Sequence, residues 1–92
     1  MTVGGRLTVR YFAAAAAAAG TEVEELEVEG PVDRDALFAR LAERHPTAPE
    51  GEPPLELVLR RSSCLVSGRR LAQGRTVSPG DTVDVLPPFS GG

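Results

Sequence analysis

The alternation of apolar and polar residues divides the chain into a few short elements. In residues 6–12, RLTVRYF, Leu7, Val9 and Tyr11 fall on one face, with Arg6, Thr8 and Arg10 opposite. A period of two predicts a half-buried strand. A run of alanines follows, Ala13 to Ala19, and then Gly20. Alanine is the best helix former and glycine a favoured C-cap, so one or two helical turns are expected there. In residues 21–29, TEVEELEVE, Leu26 and Val28 share a face, but Val23 is out of phase with them. The regular ladder is therefore expected to start near Glu25, or to contain a bulge. Gly30-Pro31 then breaks the element.

A helical period comes next. Leu37, Phe38, Leu41 and Ala42 form one stripe across residues 34–45, with Arg34, Arg40, Glu43 and Arg44 facing away. Asp33 is placed to cap this helix, Val32 and Leu37 to staple its start, and Pro46 to stop it. Residues 46–54, PTAPEGEPP, read as a loop. Residues 55–59, LELVL, suit either a short strand or a helical turn, and the pattern does not separate the two. A strand is expected over 63–67, SCLVS, with a turn beginning at Gly68. Val77 opens a turn section, and Ser78-Pro79-Gly80-Asp81 has the Pro and Gly placement of a tight turn. The last strand covers 82–86, TVDVL, with Val83 and Val85 on one face and Asp84 on the other. This order predicts an α+β domain with one main helix packed on a sheet face.

Length and composition narrow the function classes. A chain of 92 residues supports one domain with a modest core and no deep catalytic cleft. Its formal net charge of −3 argues against nucleic acid, which requires a basic face. The acidic excess lies mostly in Glu22, Glu24, Glu25, Glu27 and Glu29, read as a solvated strand face or as a patch for a basic partner. The single cysteine, Cys64, excludes an internal disulfide framework and a cysteine-based zinc cluster, and fits a reducing, cytoplasmic setting. Arg6, Arg10 and the alanine run superficially resemble a secretory leader. Alanine is too weakly apolar for that role, and the run is too short to span a bilayer, so no membrane is expected. Lys, Ile, Asn and Trp are missing. The first three have AT-rich codons, which points to a GC-rich coding sequence.

Most side chains with reactive potential have a plain structural reading. Cys64 lies in an apolar strand and is expected to be a buried core thiol; a sulfur relay would require exposure and a lowered pKa. His45 stands alone at a helix end, where the helix dipole or exposure explains it. Asp81 and Asp84 straddle a turn and a strand, a weak candidate for acid–base work. Arg69 and Arg70 belong to a solvated turn. No nucleophile–base pair, phosphate loop or cofactor fingerprint is present.

The chain end differs from the rest. After Leu86 it reads Pro87-Pro88-Phe89-Ser90-Gly91-Gly92. Two prolines stiffen the exit and stop the ladder. Phe89 is then outside the strand, where it can anchor in a partner's pocket. Gly91 and Gly92 leave no side chain to obstruct a narrow channel. The arrangement suits a tail, 87–92, that presents the terminal carboxylate. A carboxylate resists nucleophiles, so its use requires activation, for example as an acyl-adenylate from which a sulfur nucleophile displaces AMP.

LTVRYFAAAAAAAG, DALFARLAERHP, CLVSG and above all SPGDTVDVLPPFSGG resemble the MoaD/ThiS family of ubiquitin-like sulfur carriers. The resemblance covers nearly the whole chain, and the Pro-Pro before the diglycine is closer to the MoaD branch. It departs at Val66-Ser67-Gly68, where members often have Val-Asn-Gly. The resemblance implies a single ubiquitin-like β-grasp domain over 1–92, with a mixed sheet and a flexible tail over 87–92. It implies that Gly92 is the reactive end and that Leu86, Pro87, Pro88, Phe89, Ser90 and Gly91 contact partners. It also implies three partners: an ATP-dependent, ubiquitin-activating-like adenylating enzyme, a sulfurtransferase, and the large subunit of molybdopterin synthase. ATP and Mg would be used by the activating partner, with no cofactor or metal held by this chain. The expected role is a protein cosubstrate donating sulfur to molybdopterin. Sulfur carriage for thiamine thiazole, cysteine or natural products, and protein modification through Gly92, are the alternatives.

Overall fold

The computed structural model describes residues 4–72 and 74–88. Its elements in chain order are β1 (Gly5–Tyr11), α1 (Ala14–Ala19), β2 (Val23–Val28), β3 (Val32–Asp33), α2 (Arg34–Arg44), α3 (Leu55–Leu59), β4 (Ser63–Val66), β5 (Arg69–Arg70), β6 (Thr76–Val77) and β7 (Thr82–Leu86). Five strands form one mixed sheet in the order β2-β1-β7-β4-β5. The first and last strands, β1 and β7, lie side by side and parallel, while the β1–β2, β4–β7 and β4–β5 pairs are antiparallel. β3 and β6 make a separate two-stranded ribbon through Val32↔Val77 and Asp33↔Thr76. The expected turn section at Val77 is therefore a short strand, and Val77 itself is buried.

The period of two fixes which face of the sheet is covered. Leu7, Val9 and Tyr11 of β1, Leu26 and Val28 of β2, Cys64 of β4 and Val83 and Val85 of β7 are all buried. Leu37 and Leu41 of α2, Leu55 and Leu59 of α3, and Ala15 and Ala18 of α1 close over them in one core. Residues 55–59 resolve as helix because Leu55 and Leu59, four apart, both reach that core. Leu57 is left on the opposite side of α3, 48% exposed. The outer face of the sheet is polar and internally paired. Arg6 reaches Glu25 and Glu27, and Arg10 grips Asp84 through two hydrogen bonds of 2.6 and 2.9 Å.

Capping follows the sequence closely. The Asp33 carboxylate accepts from the Ala36 N–H at 2.7 Å, so α2 starts where expected. Gly20 ends α1 in the left-handed region at φ 75°, with its N–H bonded to the Ala16 carbonyl. Arg34 and Arg40 do not point fully away from the core as the stripe implied. Both are half-buried, with their aliphatic stems along the protein, and Arg34 Nε is buried without a hydrogen-bond partner among the described residues.

β2 corrects the reading of its own start. Pairing runs without a bulge from Val23, opposite Arg10, to Val28, opposite Gly5. Val23 is out of phase because it lies on the outer face, and Glu24 occupies the inward position opposite Val9. A carboxylate is tolerated there because it is fully partnered. Glu24 Oε2 accepts from the Tyr11 hydroxyl and lies 2.6 Å from His45 Nε2, and Oε1 accepts from Arg44 Nε at 2.8 Å. Burial alone would raise the Glu24 carboxyl, but hydrogen bonds from Tyr11, His45 and Arg44 outweigh it and hold the group below its ordinary value. The Tyr11 phenol is pushed upward, first by burial and then by Glu24. His45, expected to stand alone, is one jaw of this clasp between the end of α2 and the edge of the sheet.

Candidate functional site

The chain leaves the sheet from β7, between β1 and β4. Pairing between β4 and β7 ends at Ser63↔Leu86. The following two residues, Pro87 and Pro88, have no N–H to donate, so the ladder cannot continue. Leu86 and Pro87 are half-buried and Pro88 is exposed. Phe89, Ser90, Gly91 and Gly92 lie outside the described residues. The expected contact residues thus divide into a described exit, Leu86 to Pro88, and an end beyond it.

The exit is anchored at the middle of the molecule. β7 is the central strand of the five, and Val83 and Val85 have no exposed surface. Beside β7, the Phe12 N–H donates to the Val85 carbonyl at 3.2 Å, which ties the start of the β1–α1 connection to the same strand. A tail leaving here begins from a fixed position rather than from a loose end.

Other reactive candidates are occupied elsewhere. Cys64 is 1% exposed, and burial raises its thiol to about 11, so it stays protonated near neutral pH. Asp81 accepts from the Ser78 N–H at 2.9 Å and holds the turn before β7. Asp84 is paired with Arg10 on the sheet's outer face. The two aspartates have separate structural duties and do not form an acid–base pair. Arg69 and Arg70 are exposed on β5, with Arg70 donating to the Ser63 hydroxyl at 3.2 Å.

The surface next to the exit was not singled out by sequence pattern. Ala14 of α1, Pro53, Leu57, Val58, Arg60 and Arg61 around α3, and Pro87 and Pro88 line one open groove. Its signal in the sequence is Leu57, which is the apolar residue in LELVL that helical spacing sends away from the core.

Architecture and exit together define the class: a ubiquitin-like β-grasp protein whose chain emerges from the central sheet. The ThiS family model matches residues 9–92, and the chain belongs to the ThiS family, a family of ubiquitin-like sulfur carriers and modifiers. Among solved structures, small archaeal modifier protein 1 (SAMP1) of Haloferax volcanii is 24% identical, with TM-score 0.73 over 96% of this chain and 100% of that one. A putative molybdopterin converting factor subunit 1 of Pyrococcus furiosus is 21% identical, with TM-score 0.69 over 92% and 99%. SAMP1 of Methanosarcina acetivorans is 18% identical, with TM-score 0.65 over 97% and 98%. No curated protein sequence matches the chain significantly.

Proposed function

We propose that this protein is a sulfur carrier that works through the carboxylate of Gly92 and donates sulfur in molybdopterin synthesis. The observation that carries the reading is Pro87-Pro88-Phe89-Ser90-Gly91-Gly92 following the central strand of a ThiS-family domain. An ATP-dependent adenylating partner, using ATP and Mg, joins the carboxylate to AMP and releases pyrophosphate. A sulfur nucleophile supplied through a sulfurtransferase attacks the acyl carbon, AMP leaves, and the carboxyl end carries sulfur. Phe89 and Pro88 anchor the tail, and Gly91 and Gly92 pass through the partner's channel. The large subunit of molybdopterin synthase then takes the sulfur to the pterin.

The likeness to a molybdopterin converting factor subunit supports this acceptor. The likeness to archaeal modifiers supports a second reading, in which Gly92 is joined to amines of other proteins. ATP–pyrophosphate exchange with the host's activating enzyme tests the shared first step. Exchange that depends on the carrier is expected, and its absence would remove both readings. Adducts of Gly92 on amines of other host proteins would favour the second reading, while deleting the gene identifies the sulfur acceptor: loss of molybdoenzyme activity supports the first reading, and loss of thiamine or cysteine instead moves the carrier to another pathway.

A further inference from the structure

None of the 92 residues is lysine, and the ten strongly basic side chains are all arginine. Codon usage accounts for the choice of residue. Its chemical consequence depends on where the arginines stand and on how the other nucleophiles are held. Cys64 is buried, with its thiol raised to about 11, so almost no thiolate is offered at the surface. His45, the one imidazole, is half-buried with Nε2 2.6 Å from Glu24. The Tyr11 hydroxyl is buried and donates to the same carboxylate. Aliphatic hydroxyls remain, and these are weak nucleophiles unless a base sits beside them. Arg60 and Arg61 are exposed and line one groove with Pro87 and Pro88. Gly92 is four residues beyond Pro88, so at most about 14 Å of chain separates its carbonyl from that groove.

We infer that the surface beside the exit is chemically inert toward the protein's own activated end, because Arg60 and Arg61 stand where lysine would intercept the Gly92 carbonyl. The inference rests on the carrier reading, in which Gly92 is activated. A lysine amine within reach of the tail would attack the acyl carbon. The C–O bond to AMP, or the C–S bond of a thioester, would break, the leaving group would depart with the electron pair, and the amine would lose a proton to water. The product is an internal amide, and the acyl group is lost to transfer. A short tether gives such an amine an effective concentration on the order of millimolar, so the small neutral fraction of a lysine suffices. Guanidinium stays protonated to above about pH 12 and offers donors only. Arginine therefore keeps the positive charge beside the exit without supplying a nucleophile. The activated end persists until a nucleophile of another molecule takes it.

The test uses the full-length chain carrying a thioester of mercaptoethanesulfonate at Gly92, incubated dilute in mildly alkaline buffer and followed by intact mass. It needs no activating enzyme, so a failure of the carrier reading would appear in the pyrophosphate-exchange assay and not here. Arg61→Lys keeps the charge at an exposed position, and thermal melting checks that the variant folds. It is expected to form, at least about tenfold faster than the parent, a species one water lighter than its free acid, with fragmentation placing the amide between Gly92 and the side chain at position 61. Arg6→Lys is the distant control. The Gly80 N–H donates to the Arg6 carbonyl, and Gly80 lies eight residues before Pro88, about 25 Å along the sheet and beyond the tail's reach. This variant is expected to behave as the parent, which should release only the free acid. An internal amide or ester in the parent overturns the inference, and so does an Arg61→Lys chain that reacts no faster than the parent. Equal amide formation in Arg6→Lys and Arg61→Lys also overturns it, because position beside the exit would then make no difference.

Discussion

The two ends of the helical layer handle polar side chains in opposite ways. Where the end of α2 meets β2, polar groups are paired with one another: Tyr11, Arg44 and His45 converge on Glu24, whose side chain is 12% exposed. Where α3 meets the exit of β7, apolar side chains face water and Arg61 has no ion pair among the described residues. A closed network stabilises the protein's own geometry. An open apolar groove with basic borders contributes little to folding. The comparison sets a closed polar network at the β2 end against an open apolar groove at the β7 end.

That division gives separable outcomes. The largest effect is expected beyond the exit. Adding one residue after Gly92, or making Gly91→Val, should reduce sulfur loading at least about 100-fold while leaving the denaturation midpoint unchanged, since catalytic steps tolerate little misplacement of the reacting group. Loading assays and urea melts on the same samples check both halves. If loading survives, a threaded tail is not the mechanism.

Glu24→Ala should do the reverse. It leaves the Tyr11 hydroxyl and the His45 ring without their shared acceptor and should cost about 2–3 kcal/mol in stability. At temperatures where the variant remains folded, loading should stay within about twofold of the parent. Chemical denaturation measures the first effect and the loading assay the second.

Acid should weaken the same end. The Glu24 carboxyl is held below its ordinary 4.5 in the folded protein. The unfolded chain therefore takes up this proton first as pH falls. The Glu24 contribution is complete above about pH 4.5 and fades as pH drops through the lower folded value. Comparing the parent with Glu24→Gln at pH 7 and pH 3 should show a stability gap that narrows in acid. A constant gap would mean that the carboxylate is not preferentially stabilised.

The smallest effect is expected at the β4–β5 turn. Ser67 and Gly68 both have positive φ, 53° and 78°. Asparagine adopts that conformation more readily than serine, so Ser67→Asn should add about 0.5 kcal/mol without changing loading. Thermal melting should resolve the shift.

Much of this organisation is legible in local sequence. The stripe of α2 and its Asp33 cap, and the alternation in β1 and β7, each depend on residues a few positions apart. The Pro-Pro exit is legible for the same reason, because proline removes a donor wherever it stands. The β2 clasp is not. Tyr11 and Glu24 are 13 residues apart and Glu24 and His45 are 21 apart, so their meeting depends on strand register and on where α2 ends. Out of that context Val23 reads as a flaw in the strand and Glu24 as one more solvated acid. The groove is hidden similarly. Leu57 belongs to a five-residue apolar run that suits strand or helix, and only its helical form turns Leu57 toward the exit prolines.

The most direct test of the central claim is the intact mass of the carrier after incubation with its activating enzyme, ATP, Mg and a sulfur donor. A species heavier by one oxygen-to-sulfur exchange, localised by fragmentation to Gly92, is the predicted result. Free carboxylate alone under those conditions, with the enzyme shown to be active, would contradict it.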